Sequence, residues 1–174
     1  FCLKYEKHSS AFKEETTQKQ LQTKVGLPTK ENKTKITKRT YESKLSKEQY
    51  KLLTECVEVI RLFRLKVKVT ELKKLLNGKL REPLQVANQK TLVYLFDQLM
   101  EAGYIKDTWI AVADGNRDFI SFRTEGNKER YGNHTHYIGM QQLINCRNRN
   151  KREAITGMDY IDDLIEQMEA NPDE

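Results

Sequence analysis

The residues of this 174-residue chain best suited to chemistry gather where an amphipathic run begins: Asn88, Gln89, Lys90 and Thr91, with Tyr94 one turn further on. Asn and Gln side chains can bond bidentately to adenine, and Lys can donate to guanine. These types at the head of a helix therefore suit the reading of base edges in a DNA groove. A second group, Lys68, Lys73, Lys74, Lys79, Arg81 and Arg117, carries only positive charge. That is the chemistry of phosphate contact, which adds affinity without sequence information. Singly, each is an ordinary solvated residue; nine bases against two acids across residues 61–90 make them a group. Asp97 and Glu101, further along the same run, repel phosphate and confine any docking to its first two turns.

Other chemistries find less to work with. His134, His136 and Cys146 offer zinc-type donors, but no fourth ligand stands at a diagnostic spacing and no Cys-x-x-Cys pair exists. They fit loop histidines and a buried thiol better, and Cys56 falls on an apolar stripe as a core residue. There is no Gly-rich phosphate loop, no Gly-x-Ser-x-Gly elbow, and no Cys with a His at a recognisable spacing. Asp159, Asp162 and Asp163 share an amphipathic run with Met158 and Ile161 and read as a solvated face. Trp109, Phe119 and Phe122 could stack on bases, yet a small ribbon must bury one face, and these are the side chains to do it. The expectation is a protein that is not an enzyme and needs no cofactor or metal.

The elements that must position these residues follow from spacing. Ser46 and Gln49 have the separation of a capping box ahead of Tyr50, Leu53, Val57, Ile60 and Phe63, which predicts a helix over 47–64. Residues 65–69 alternate like a short strand or extended link. Thr70 then caps a short helix carrying Leu72, Leu75 and Leu76, with Gly78 placed to stop it. Residues 79–87 contain Pro83 and no helical period, so they read as a loop. A third helix spans about 88–102, burying Leu92, Leu95, Phe96 and Leu99, with Gly103 in the left-handed stop position. Tyr104-Ile105 and Trp109 to Val112 read as strand, Asp114-Gly115-Asn116 as a turn, and Phe119 to Phe122 as the returning strand. That makes a hairpin with Arg117 at its tip. Residues 123–133 read as a loop, 135–146 as a fourth helix, and 157–170 as an acidic amphipathic helix.

Composition sets the limits. With 37% hydrophobic and 32% charged residues, the chain can fill one core but not two. Residues 1–45 hold eleven Lys or Arg against five acids, with no sustained apolar period. They read as a basic tail or linker, with residues 46–125 as the globular domain and 126–174 as a helical extension packed on it. Residues 156–174 hold seven acids and no base, so the charge is segregated, which suits a polyanion at one face or the self-association of opposite ends. Three scattered Cys argue against a disulfide framework and for a reducing, cytoplasmic setting. No apolar run reaches the length of a membrane span, and no small-molecule site is evident. Starting at Phe rather than Met points to a fragment or a trimmed product.

Helix, short helix, helix and hairpin over residues 46–123, with Leu92, Leu95, Leu99 and Gly103-Tyr104-Ile105 at the exit of the third helix, resemble a winged helix. The basic tail and extra C-terminal helices add a looser similarity to RteC-type regulators of bacterial conjugative elements. The expected fold class is mainly α with a small β-hairpin (α+β): a winged-helix-like three-helix core, a wing and extra C-terminal helices. One departure is the stretch from Lys79 to Ala87, longer than the turn of a tight helix-turn-helix. The resemblance implies a DNA-binding regulator of transcription or mobile elements acting on double-stranded DNA, with a homodimer through the C-terminal helix as a companion expectation. A protein-interaction or oligomerisation module is the alternative, and an RNA-binding accessory protein, using residues 147–152, a weaker one.

Overall fold

The structure, a computed structural model, describes residues 38–121 and 136–171, all within one compact unit of residues 36–174. Among the described residues the protein is mainly helical with a small three-stranded sheet. The first helix, α1 (Lys47–Val59), starts at the capping box read from the sequence: the Gln49 N–H donates to Ser46 Oγ at 3.1 Å, and the Ser46 N–H donates to Gln49 Oε1 at 2.9 Å. Its stripe of Tyr50, Leu53, Cys56 and Val57 is buried. The second helix, α2 (Val69–Leu76), begins one residue ahead of the expected Thr70 cap. The reason is local: Glu71 in its first turn reaches back to accept the Lys68 N–H at 2.8 Å.

Residues 79–87 are not wholly a loop. They contain β1 (Leu84–Val86), whose open edge is met by residues 62–64: Phe63 bridges Val86, and the Arg64 N–H donates to Gln85 O at 2.9 Å. Asn88 then caps α3 (Gln89–Glu101), accepting the Lys90 N–H at 3.0 Å, and Gly103 takes the left-handed conformation that ends the helix, with φ of +79°.

The expected hairpin over residues 104–122 is not formed. Trp109 to Val112, read as strand, and Asp114-Gly115-Asn116, read as a turn, lie instead in α4 (Trp109–Asn116). Trp109, Ile110, Val112 and Ala113 are all buried there, so the segment is apolar nearly all round and shows no helical period. Arg117 is the left-handed C-cap of α4, not the tip of a wing. The strand that follows, β2 (Phe119–Ser121), pairs in parallel with β1, Leu84 opposite Phe119, and antiparallel with β3 (His136–Tyr137). Residues 122–135, including Phe122, the expected loop and His134, lie outside the described residues.

Two further helices complete the fold: α5 (Met140–Asn150) and α6 (Met158–Ala170). The apolar stripe of α6, Ile161, Leu164 and Met168, is buried against α1 and α3, which agrees with a C-terminal extension packed on the domain. Centrally, Phe96 of α3 meets Trp109, Phe119 and Tyr41, with ring centroids 5.0, 5.6 and 5.8 Å away, the last two edge-to-face.

Tyr41 belongs to the stretch expected to be tail. Residues 38–45 form neither helix nor strand and strap across the domain: the Tyr41 N–H donates to Leu76 O at 3.0 Å, the Lys106 N–H to Tyr41 O at 2.9 Å, and the Lys44 N–H to Tyr104 O at 2.9 Å. The Tyr41 hydroxyl donates to buried Asp118 at 2.9 Å. A lone aromatic among Lys and Thr leaves no periodic trace, so the domain begins earlier than composition suggests. Residues 1–37 of the expected tail lie outside the described residues.

Candidate nucleic-acid interface

The two groups of candidate residues have opposite fates. At the start of α3, Asn88 is occupied as the helix cap. Gln89 Oε1 faces the buried Cys146 thiol at 3.9 Å, and Thr91, only 2% exposed, donates to Thr156 O at 2.9 Å. The Tyr94 hydroxyl donates to Asp162 at 2.6 Å. Lys90 pairs with Glu153, and its carbonyl accepts from the Asn150 amide at 2.9 Å. Asn88 is thus engaged by the first turn of α3 itself, and Gln89, Lys90, Thr91 and Tyr94 each meet a group of α5, α6 or the link between them. The start of α3 therefore presents fewer free polar groups than the sequence suggests, with Thr91 buried and Asn88, Gln89, Lys90 and Tyr94 half-buried.

The covering segment is part of the core rather than a lid. Ile161 and Met168 have no exposed surface and Leu164 has 3%, while the Gln49 amide donates to Met168 O at 3.2 Å within the interior. Burying three such side chains stabilises the fold by about 1.5–3 kcal/mol each. The outer pair is different. Lys90 and Glu153 remain 31% and 50% exposed along their side chains, and a pair so solvated contributes about 0–1 kcal/mol.

Ionisation follows this geometry. The Lys90 hydrogen bond, then its charge, holds the Glu153 carboxyl below the usual carboxylate range. Burial, reinforced by the bond to Asp162, pushes the Tyr94 phenol up. Burial also raises Cys146 and takes Cys56 to about 11, so both are neutral free thiols.

Asp97, expected to repel phosphate, has a structural task. It accepts the buried Trp109 indole N–H at 2.9 Å and the Arg147 guanidinium, whose Nε lies 2.9 Å from Oδ2. Arg147 in turn lies over the Trp109 ring, 5.6 Å from its centroid. One carboxylate thus joins α3, α4 and α5, and Arg147 of the basic run 147–152 is committed to that junction.

The phosphate-type candidates stay at the surface. Lys68, Lys74, Lys79, Arg81 and Arg117 are exposed, and none has an ion-pair partner among the described residues. Lys73 is partly engaged, its ammonium 5.2 Å from the Tyr50 ring centroid. Lys74 and Arg81 line one open groove of about 440 Å³, floored by Phe63, Val67 and Leu84, with Glu71 and Glu82 also on its wall. Arg117 lies apart from that groove at the C-terminus of α4, its guanidinium 5.3 Å from the Tyr137 ring centroid. α1 packs against both basic α2 and acidic α6.

Two features escaped sequence reading. Asp118 is fully buried, accepting from Lys38 Nζ at 3.2 Å, the Tyr41 hydroxyl and the Asn116 amide. Arg39, counted with the tail, is held against the domain by Asn116. Among the described residues no cluster of His, Cys, Asp or Glu could hold a metal ion, and no helix is long and apolar enough to cross a membrane. No family model, curated protein or solved structure matches the chain.

Proposed function

We propose that the chain is a non-enzymatic, cytoplasmic regulator that binds double-stranded DNA through its phosphate backbone, in transcription or mobile-element control. The observation that carries this reading is the face of α2 and residues 79–81, where Lys68, Lys74, Lys79 and Arg81 are exposed without ion-pair partners among the described residues, while the acids concentrate on α6. Such a face attracts a polyanion and orients its approach. The regulatory role rests on the looser sequence resemblance of the basic N-terminal stretch and extra C-terminal helices to RteC-type regulators. Sequence preference, on this reading, comes from groups other than the start of α3.

Polarisation titration of a labelled duplex across a range of salt concentrations tests the proposal. The wild-type chain is expected to bind with a steep negative log–log slope, and a Lys68→Ala, Lys74→Ala, Arg81→Ala variant to lose about 2–3 from that slope. Absence of duplex binding at low salt would end the DNA reading. The alternative, a protein-interaction module, draws on the exposed Leu65, 78% accessible beside the groove, and Tyr160, 58% accessible on α6. Light scattering that finds a stable dimer, lost on Leu65→Ser and unaffected by salt, would favour it.

A further inference from the structure

Three cations far apart in sequence, Arg39, Lys79 and Arg117, sit on backbone segments that converge on one junction. The Asn116 side chain grips the Arg39 peptide from both sides: its Oδ1 accepts the Arg39 N–H at 2.8 Å, and its amide donates to the Arg39 carbonyl at 2.8 Å. Gly78 approaches the same peptide so closely that a Cβ there would lie 2.3 Å from the Arg39 carbonyl oxygen. Only glycine permits that contact, and its φ of +64° is one that other residues rarely adopt. Lys79 follows Gly78, and Arg117 follows Asn116. Arg39, Lys79 and Arg117 are therefore each at, or one residue from, a single junction.

We propose that these three residues form a composite contact for the phosphodiester backbone of duplex DNA, an inference that rests on the DNA-binding reading above. All three are exposed, and none has an ion-pair partner among the described residues. Of the acids near them in the chain, Asp118 is buried with Lys38 and Tyr41, Asp114 accepts the Met140 N–H at 3.0 Å and Glu42 pairs with Lys106, while Glu82, on the wall of the neighbouring groove, is exposed. The foundation is rigid, because Asn116 is 7% exposed and Asp118 fully buried, and the Asn116 amide also donates to Asp118 at 3.1 Å. Arg117 occupies a left-handed C-cap, φ +55°, where glycine would be relaxed. There its guanidinium lies near Tyr137, a geometry that leaves N–H groups at its edge for phosphate oxygens. Two arginines and a lysine held around one clamped peptide match a run of phosphates better than the same charges on a mobile tail, since the ordering is already done by folding.

The test uses the full chain and the duplex titration across salt. An Arg39→Gln, Lys79→Gln, Arg117→Gln variant is expected to lose about 2–3 from the log–log slope, nearly one per phosphate contact removed. Gly78→Ala retains all three charges but displaces the Arg39 peptide, and is expected to lose part of the slope; Asn116→Ala gives a second displacement if that variant folds poorly, with melting temperature monitored for each. If the wild type binds, and the slope survives the three Gln substitutions while falling with Lys68→Ala and Lys74→Ala, the composite contact is wrong and the DNA reading stands. If the wild type binds no duplex, both fall. Equal binding of polyglutamate at matched charge would reduce the contact to nonspecific attraction and overturn it.

Discussion

The first turns of α3 and the face formed by α2 with residues 79–81 are similarly polar in sequence, yet they end in opposite states. Asn88, Thr91 and Tyr94 each hold a hydrogen bond inside the fold and Lys90 an ion pair, whereas Lys68, Lys74, Lys79 and Arg81 face solvent. What separates them is the chain that comes later. Residues 146–162 return over α3 and leave α2 bare, bringing partners such as Glu153 and Asp162 to the polar groups they cover. A run of polar side chains at a helix start is thus as well suited to receiving another part of the chain as to meeting a ligand.

The largest test of this contrast is Ile161→Ala. If α6 is core, truncating this fully buried residue lowers stability in urea by about 2–5 kcal/mol. A loss near zero would make α6 detachable and return α3 to the role of a recognition helix. Next comes Asp97→Ala, which strands the buried Trp109 N–H and removes the partner of Arg147; about 1–3 kcal/mol of stability is expected to go, with a change in tryptophan fluorescence. An unaltered protein would mean that α3, α4 and α5 do not depend on this junction.

Alkaline pH probes the strap beneath the open face. Burial, then the charge and hydrogen bond of Asp118, hold the Tyr41 phenol well above its usual range. The folded state keeps the proton when the unfolded state begins to lose it near pH 10, so stability contributed by Tyr41 is full below that pH and declines above it. Tyr41→Phe should flatten the alkaline decline in the unfolding midpoint; an unchanged decline would assign it to other groups, with Tyr94 next in line because its phenol is shifted the same way. The smallest effect distinguishes two lysines. Lys74→Ala should reduce the salt slope of duplex binding by about 0.9, whereas Lys90→Ala should leave it unchanged. The reverse result would invert the comparison.

Much of the helical frame was legible because its signals are local. The Ser46 and Gln49 box, the stripes of α1, α3 and α6, and the left-handed Gly78 and Gly103 all read directly. α4 did not, because Trp109, Ile110 and Val112 have strand-forming shapes and a helix buried on most sides has no polar face to set a period. Once that segment was read as strand, Arg117 became the tip of a hairpin instead of a helix cap. The sheet was hidden too, since three-residue strands are too short for alternation to register. For the candidate site, residue types were legible and availability was not: no property of Thr91 or Tyr94 announces Thr156 or Asp162, more than sixty positions away.

The parallel pairing of β1 with β2 has a consequence for how the molecule is made. Antiparallel neighbours joined by a tight turn can zip together early and alone, but Leu84 and Phe119 sit about 35 residues apart and are joined through α3 and α4. Their registration must await the docking of both helices, because the loop between them has to close before any strand contact repays its entropy. In pulse-labelled hydrogen exchange during refolding, the Leu84 amide, bonded to Asp118 O at 2.8 Å, should therefore gain protection after the amides of α3. A three-residue strand thus records when the helices between it and its partner have docked.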